Sequence, residues 1–203
     1  MSKTTWFCFD FDGTVSSVEA LPLLAREAGI AEEMATLTDI TMRGILAFPQ
    51  SFKLRVKLLS SIPLKRAQNI MDSVPISPAI ADFIRQFRER CIVVTGNLDI
   101  YMAPIIEKIP CRFLTSEAIV SGGRVDGVKH LLDKGEALRM FRDSEGPMRI
   151  VAIGDGANDI PMFEAADIAI SYFQVTRPNQ LLYPFSHYIV FKEEPLCQLL
   201  KTL

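Results

Sequence analysis

The chain has 203 residues, 49% of them hydrophobic, with 22 basic and 24 acidic side chains and a formal net charge of −2. This length permits one large domain or a core with an inserted subdomain. The apolar fraction excludes a disordered chain, and the charge balance leaves no electrostatic footprint for nucleic acid. No apolar run approaches the ~20 residues that a membrane-spanning helix needs, so no membrane partner is expected. The four cysteines, Cys8, Cys91, Cys111 and Cys197, are widely spaced and form no CxxC pair. With no signal-like N-terminus, a reducing, cytoplasmic setting is expected. His130 and His187 stand apart, without a matched cysteine cluster, and neither is expected to bind a metal.

The first predicted strand, residues 5–9, is short, apolar and aromatic, and ends in Asp10-Phe11-Asp12-Gly13-Thr14. A buried strand should not finish in uncompensated carboxylates. A divalent cation would neutralise Asp10 and Asp12, although Asp-Gly is also a common turn dipeptide. Residues 16–76 then carry almost no strand signal. Helices are predicted over 19–28, 31–46, 49–60 and 64–73, with Gly29 as a stop and Pro49 and Pro63 as starts. A single crossover helix needs far fewer residues, so this segment reads as a helical cap inserted after the first strand. A helix over 78–90 returns the chain to the core.

Strands follow at 92–95, 112–115, 149–153, 168–171 and 188–191, with a small hairpin in 117–127 marked by Gly122-Gly123 and Asp126-Gly127. Lys134 stands at the start of a helical stretch. The pattern predicts an α/β, Rossmann-like fold: a mainly parallel central sheet flanked by helices, with 1–15 and 77–203 as catalytic core and 16–76 as cap.

The strand at 92–95 ends in Thr95-Gly96, and that at 149–153 in Gly154-Asp155-Gly156-Ala157-Asn158-Asp159. Three strand ends and Lys134 thus offer carboxylates, a hydroxyl and one fixed cation, an inventory for holding magnesium and a phosphate. The Thr95 hydroxyl and the Gly96 N–H suit an oxyanion, and Lys134 supplies a point charge. Asn158 and Asp159 suit orientation of a metal shell and phosphate, or N-capping of the next helix.

These four pieces, in this order, resemble the four motifs of the haloacid dehalogenase superfamily of phosphohydrolases, across nearly the whole chain. The resemblance implies a Mg²⁺-dependent phosphomonoester hydrolase working through an aspartyl-phosphate. Asp10 would be the nucleophile and Asp12 the general acid and base, with Asp10, Asp12 (through its carbonyl), Asp155 and Asp159 around the metal. Within the superfamily, the cap is similar to the phosphoserine phosphatase branch: Glu19 stands where an acid holds the substrate amine. Met42 to Phe48 and Ser51 to Val56 match the stretch carrying apolar contacts and a carboxylate-binding arginine, Arg55. The implied substrate is O-phosphoserine, the implied setting serine biosynthesis, and the implied substrate contacts Glu19, Met42, Phe48, Arg55, Thr95, Gly96, Lys134 and Asn158.

Plainer readings stand beside these. Ser16 to Glu19 also fits a capping box, Arg55 lies between Lys53 and Lys57 on what could be a solvated face, and Met42 and Phe48 could be core. Where that branch carries Ser-Gly-Gly-Phe, this chain has Thr95-Gly96-Asn97-Leu98, with asparagine expected to tolerate a left-handed turn. Residues 172–185 lack the branch's short Lys-Pro element. The competing functions are a related phosphatase for another small phosphorylated metabolite and a catalytically silent binding module. The expected partner is a small phosphate ester, and the expected assembly a monomer or homodimer.

Overall fold

A computed structural model describes residues 4–42 and 45–203, the side chain of Met42 excepted. Its strands are β1 (Thr4–Phe9), β2 (Cys91–Leu98), β3 (Arg112–Ser121), β4 (Arg124–His130), β5 (Met148–Gly154), β6 (Ile168–Tyr172) and β7 (Tyr188–Val190). They form one sheet in the order β4-β3-β2-β1-β5-β6-β7, parallel throughout except for the β3–β4 pair. The helices are α1 (Ala20–Glu27), α2 (Ala31–Met42), α3 (Phe48–Leu59), α4 (Leu64–Asp72), α5 (Pro78–Gln86), α6 (Asp99–Lys108), α7 (Lys134–Glu145), α8 (Ile160–Ala165) and α9 (Glu193–Leu200).

Strand side chains alternate between two faces, and both faces here are buried, as a parallel sheet requires. Phe7, Phe9, Val93, Val151 and Ile153 pack on one face with Phe83, Ile84 and Met102 of α5 and α6. Trp6, Cys8, Ile92, Val94, Ile150 and Ala152 pack on the other with Leu138, Phe141, Met162 and Phe163 of α7 and α8. Aromatic edges lock both layers: Trp6 meets Phe141 at 4.8 Å between centroids and Phe7 meets Phe83 at 5.0 Å, each nearly perpendicular. The cysteines are free thiols, and burial pushes those of Cys8 and Cys91 upward, so both act as small apolar fillers.

β1 lies at the centre, with Phe9 opposite Val93 of β2 on one side and Ile153 of β5 on the other. The chain leaves β1, goes to β2 on one side and later to β5 on the other. The carboxyl ends of these three strands therefore border the switch point where open α/β sheets leave a crevice. Helices α1–α4 add no strand to the sheet. Their two connections to it run side by side: Ser17 N–H donates to Pro75 O at 3.1 Å and Ser77 N–H to Val15 O at 2.9 Å.

Three boundaries differ from the sequence reading. α2 is described over Ala31–Met42 and does not reach residue 46: Ile45 and Leu46 are not helical, and Ile45 is 72% exposed. The helix expected over 78–90 breaks at Phe87 (φ −116°, ψ 27°) and continues as a 3₁₀ turn, Arg88–Arg90. The hairpin is not a separate piece: β3 runs unbroken into it, the turn is Gly122-Gly123 with φ of 54° and 72°, and Asp126-Gly127 lies inside β4. Two positive φ angles are what a tight two-residue hairpin loop demands. The tip reaches α3 and α4, where Leu64 N–H donates to Gly123 O at 2.9 Å and Lys57 pairs with Asp126 at 2.8 Å.

Candidate active site

Beyond β1 the chain makes a single irregular turn, Phe11–Val15, interrupted at Asp12 and Gly13. Gly13 is needed twice over. Its φ is +74°, and a Cβ there would run into the Asp155 carboxylate. Ser16 closes the turn: its N–H donates to Phe11 O at 2.9 Å, and its hydroxyl to Phe11 O at 3.1 Å and Val18 O at 2.7 Å. It caps no helix, so the capping-box reading of Ser16 to Glu19 does not describe this segment. The first N–H of α1, from Ala20, goes instead to Asp12 Oδ1 at 2.8 Å. A carboxylate at a helix N-terminus is electrostatically favoured, and here it ties the loop after β1 to the first of the four inserted helices.

Asp10 is buried at the end of β1, its N–H bonded to Ile153 O of β5 at 2.8 Å. Its Oδ1 receives Lys134 Nζ, which also donates to Asp159 Oδ1 at 2.6 Å. Lys134 opens α7 in a buried position, with Asp133 capping the helix through Glu136 N–H at 2.8 Å. Asp159 Oδ2 accepts N–H groups from Asp155 at 2.9 Å and Gly156 at 3.0 Å. Both Asp159 oxygens are therefore engaged, and its side chain makes no cap bond to α8. Carboxylate oxygens of Asp10, Asp155 and Asp159 lie within 4.8 Å of one another. Asp155 has no ion-pair partner among the described residues; the Thr176 side chain lies against it.

Electrostatics follow from this crowding. Burial, then the charge of Asp159, pushes Asp10 up to about 7 against the pull of Lys134. Burial, then Asp10 and Asp159, pushes Asp155 up to about 9. Burial works against the Lys134 cation, but Asp10 and Asp159 outweigh it and raise its pKa. Three buried carboxyls thus crowd together with one lysine, which pairs with two of them. Oxygen donors in excess of local positive charge fit a hard divalent cation.

The third strand end meets the same space. Thr95 is buried, and its Oγ1 accepts from the Asn97 N–H at 3.1 Å and from Asn97 Nδ2 at 3.2 Å. Asn97 Nδ2 also donates to Asp12 Oδ2 at 2.7 Å. Burial, then Glu19, raises Asp12 to about 7, opposed by the Ala20 and Asn97 donors. Asn97 is not in a left-handed turn, because every described residue with positive φ is a glycine. A Cβ on Gly96 would meet open space, and Gly96 O is held by the Ser116 hydroxyl at 2.8 Å. Ser116 also accepts from Leu132 N–H at 3.1 Å, bracing β2 against the loop that leads to Lys134.

Of the cap residues, Glu19 stands at the N-terminal end of α1, open to solvent. Even so, desolvation and then the charge of Asp10 raise its pKa. Arg55 on α3 is half-buried; burial lowers its pKa, and Glu19 opposes that. Its Nε is buried with no hydrogen-bond partner among the described residues, so Arg55 does not share the solvated state of neighbouring Lys53 and Lys57. Phe48 is 40% exposed and stacks obliquely on Phe52 at 5.9 Å. The expectation for Met42 falls on a side chain outside the described residues. Asn158 is exposed, with Oδ1 folded back beside Gly156. The chain pattern could not reveal the contact between Asn97 and Asp12, which are 85 residues apart. Nor could it reveal the Ser116 brace or the approach of Thr176.

Residues 7–164 match the model of the haloacid dehalogenase-like hydrolase family. The chain is 34% identical to phosphoserine phosphatase of Methanocaldococcus jannaschii, over 84% of this chain and 86% of that protein. It is 32% identical to phosphoserine phosphatase of Halobacterium salinarum, over 82% and 84% respectively. Among solved structures, a substrate-bound phosphoserine phosphatase complex matches with a TM-score of 0.84 at 30% identity, both chains fully covered. A phospho-aspartyl intermediate analogue of phosphoserine phosphatase matches at 0.82 and 29%, again over both whole chains. With a mainly parallel α/β sheet, carboxylates at its central strand ends and a family match over most of its length, the chain belongs to the haloacid dehalogenase-like hydrolases.

Proposed function

We propose that the protein is a phosphatase that hydrolyses O-phosphoserine through a phosphoryl group carried on Asp10. The observation that carries this reading is the buried cluster in which Lys134 joins Asp10 to Asp159, beside Asp155, which has no ion-pair partner among the described residues. Asp10 Oδ attacks phosphorus; the ester P–O bond breaks as Asp12 gives its proton to the departing seryl oxygen. Water then attacks the aspartyl-phosphate, with Asp12 taking its proton, and phosphate leaves. Lys134, the Thr95 hydroxyl and the Gly96 N–H hold the phosphoryl oxygens.

Asp10 and Asp155, with the Asp12 carbonyl, would hold Mg²⁺, while Asp159 keeps Lys134 and the 155–156 backbone in place. Mg²⁺ would neutralise the approach of a carboxylate to a phosphate anion. Glu19 would take the substrate ammonium and Arg55 its carboxylate, with the unpartnered Nε as a ready donor. Helices within 16–76 would open to admit substrate and close to exclude water, hinging at the paired connections.

The test is phosphate release from O-phosphoserine and from a panel of small phosphate esters, with Mg²⁺ or with EDTA. Phosphoserine should rank first by kcat/KM, EDTA should abolish turnover, and Mg²⁺ should restore it. Full activity in EDTA, or preference for esters without an amino-acid head group, would overturn the corresponding part of the reading.

A further inference from the structure

We infer that Asn97 is a positioning residue that sets two reacting-site groups at once: the carboxylate of Asp12 and the hydroxyl of Thr95. The inference rests on the reading of Asp12 as general acid.

The argument starts from the backbone. Asparagine is often placed in turns because it tolerates positive φ, but Asn97 does not adopt one. Conformational freedom therefore does not account for the residue, and its side chain must. That side chain is buried, with both Nδ2 hydrogens placed: one on Asp12 Oδ2 at 2.7 Å, the other on Thr95 Oγ1 at 3.2 Å. The amide faces Asp12 with its Nδ2, so it donates to the carboxylate that is left once Asp12 has given up its proton.

Consider Asp12 first. One oxygen is held by Ala20 N–H at 2.8 Å and the other by Asn97. Two donors from opposite walls, α1 and β2, fix the plane of the carboxyl. They also solvate the carboxylate that appears when the proton leaves for the ester oxygen. Proton transfer to a leaving group depends on that geometry.

Thr95 gains a direction from the same amide. A hydroxyl has one donor and two acceptor sites. Asn97 fills both acceptor sites, one from its backbone N–H at 3.1 Å and one from Nδ2. The Thr95 hydrogen is left to point away from Asn97, as a donor for an anionic oxygen. A glycine at this position would keep the backbone contact and lose both side-chain contacts.

The test uses leaving-group dependence. The Asn97→Gly and Asn97→Ala variants are compared with wild type for kcat/KM on alkyl phosphates, whose leaving oxygen needs a proton, and on p-nitrophenyl phosphate, whose leaving oxygen does not. kcat/KM reports only steps up to transfer of the phosphoryl group to Asp10. The alkyl-to-aryl ratio is independent of the amount of active enzyme, so partial misfolding does not disturb it. The ratio should fall about tenfold or more in both variants. A ratio within about twofold of wild type would overturn the proposal. Asp12→Asn is run alongside. If it too leaves the ratio unchanged, the general-acid reading of Asp12 fails and the role of Asn97 fails with it. If Asp12→Asn lowers the ratio and the Asn97 variants do not, only the role of Asn97 is lost.

Discussion

The floor of the candidate site and its roof are built on opposite terms. At the strand ends, Lys134 donates to both Asp10 and Asp159, Asp159 also accepts two backbone N–H groups, and all three residues are buried. On the helical side, Glu19 is open to solvent and the Arg55 Nε is a buried donor without a partner among the described residues. The lysine and two of the carboxylates of the floor already hold one another in place, whereas the roof has hydrogen-bonding capacity in reserve. Preorganised groups cost no rearrangement when charge develops in a transition state. A recognition donor without an internal partner is free to take a ligand group. The contrast supports the proposed division, with chemistry at the strand ends and choice of substrate at the inserted helices.

The most severe way to break this contrast is at the floor. Asp10→Asn removes the proposed nucleophile and should lower kcat by roughly a thousandfold or more, with a normal circular dichroism spectrum. Near-normal turnover would remove Asp10 from the reaction. The next effect should come from the roof. Losing a charge-assisted arginine contact costs roughly 2–3 kcal/mol. Arg55→Ala should therefore cut kcat/KM for phosphoserine about 30- to 150-fold while sparing a simple aryl phosphate. Equal losses on both would make Arg55 a structural residue.

A smaller, graded effect should appear in stability against pH. Asp10 and Asp12 rise to about 7 and Asp155 to about 9, against a reference of 3.8. Each holds its proton more tightly in the folded chain, so the stabilisation is fully present below the reference value and is lost as pH rises through 7 and then 9. The melting temperature of metal-free protein should fall between about pH 5.5 and pH 8, and added Mg²⁺ should raise it more at the higher pH. A metal-independent, flat profile would separate these carboxyls from any metal site. The smallest effect belongs to Lys57→Ala. Its pair with Asp126 is 65% and 56% exposed, so chemical denaturation should register less than ~1 kcal/mol. A larger loss would show that the hairpin anchors the inserted helices.

The sequence by itself determined the class of fold and where along the chain the polar strand ends fall. Strands buried on both faces need near-continuous apolar runs, and Trp6 to Phe9, Ile92 to Val94 and Ile150 to Ile153 supply them. The polar residues that terminate each run then stand out against that background, most clearly the carboxylate clusters at Asp10 and Asp155. Thr95 and Lys134 stood out only because those two motifs framed them.

Tertiary structure decided what these residues touch. Asn97 meets Asp12 across 85 positions because β1 and β2 are neighbours in the sheet. Asp159 turns away from the helix it precedes, because two backbone N–H groups and Lys134 claim its oxygens. Ser16 closes a turn and leaves the end of α1 to Asp12, because the loop after β1 brings that carboxylate to the Ala20 N–H. Periodicity and turn chemistry depend on residues a few positions apart and can be read along a chain. The partner of a buried polar group depends on which strand ends the sheet order brings together, and that is settled only when the chain is folded.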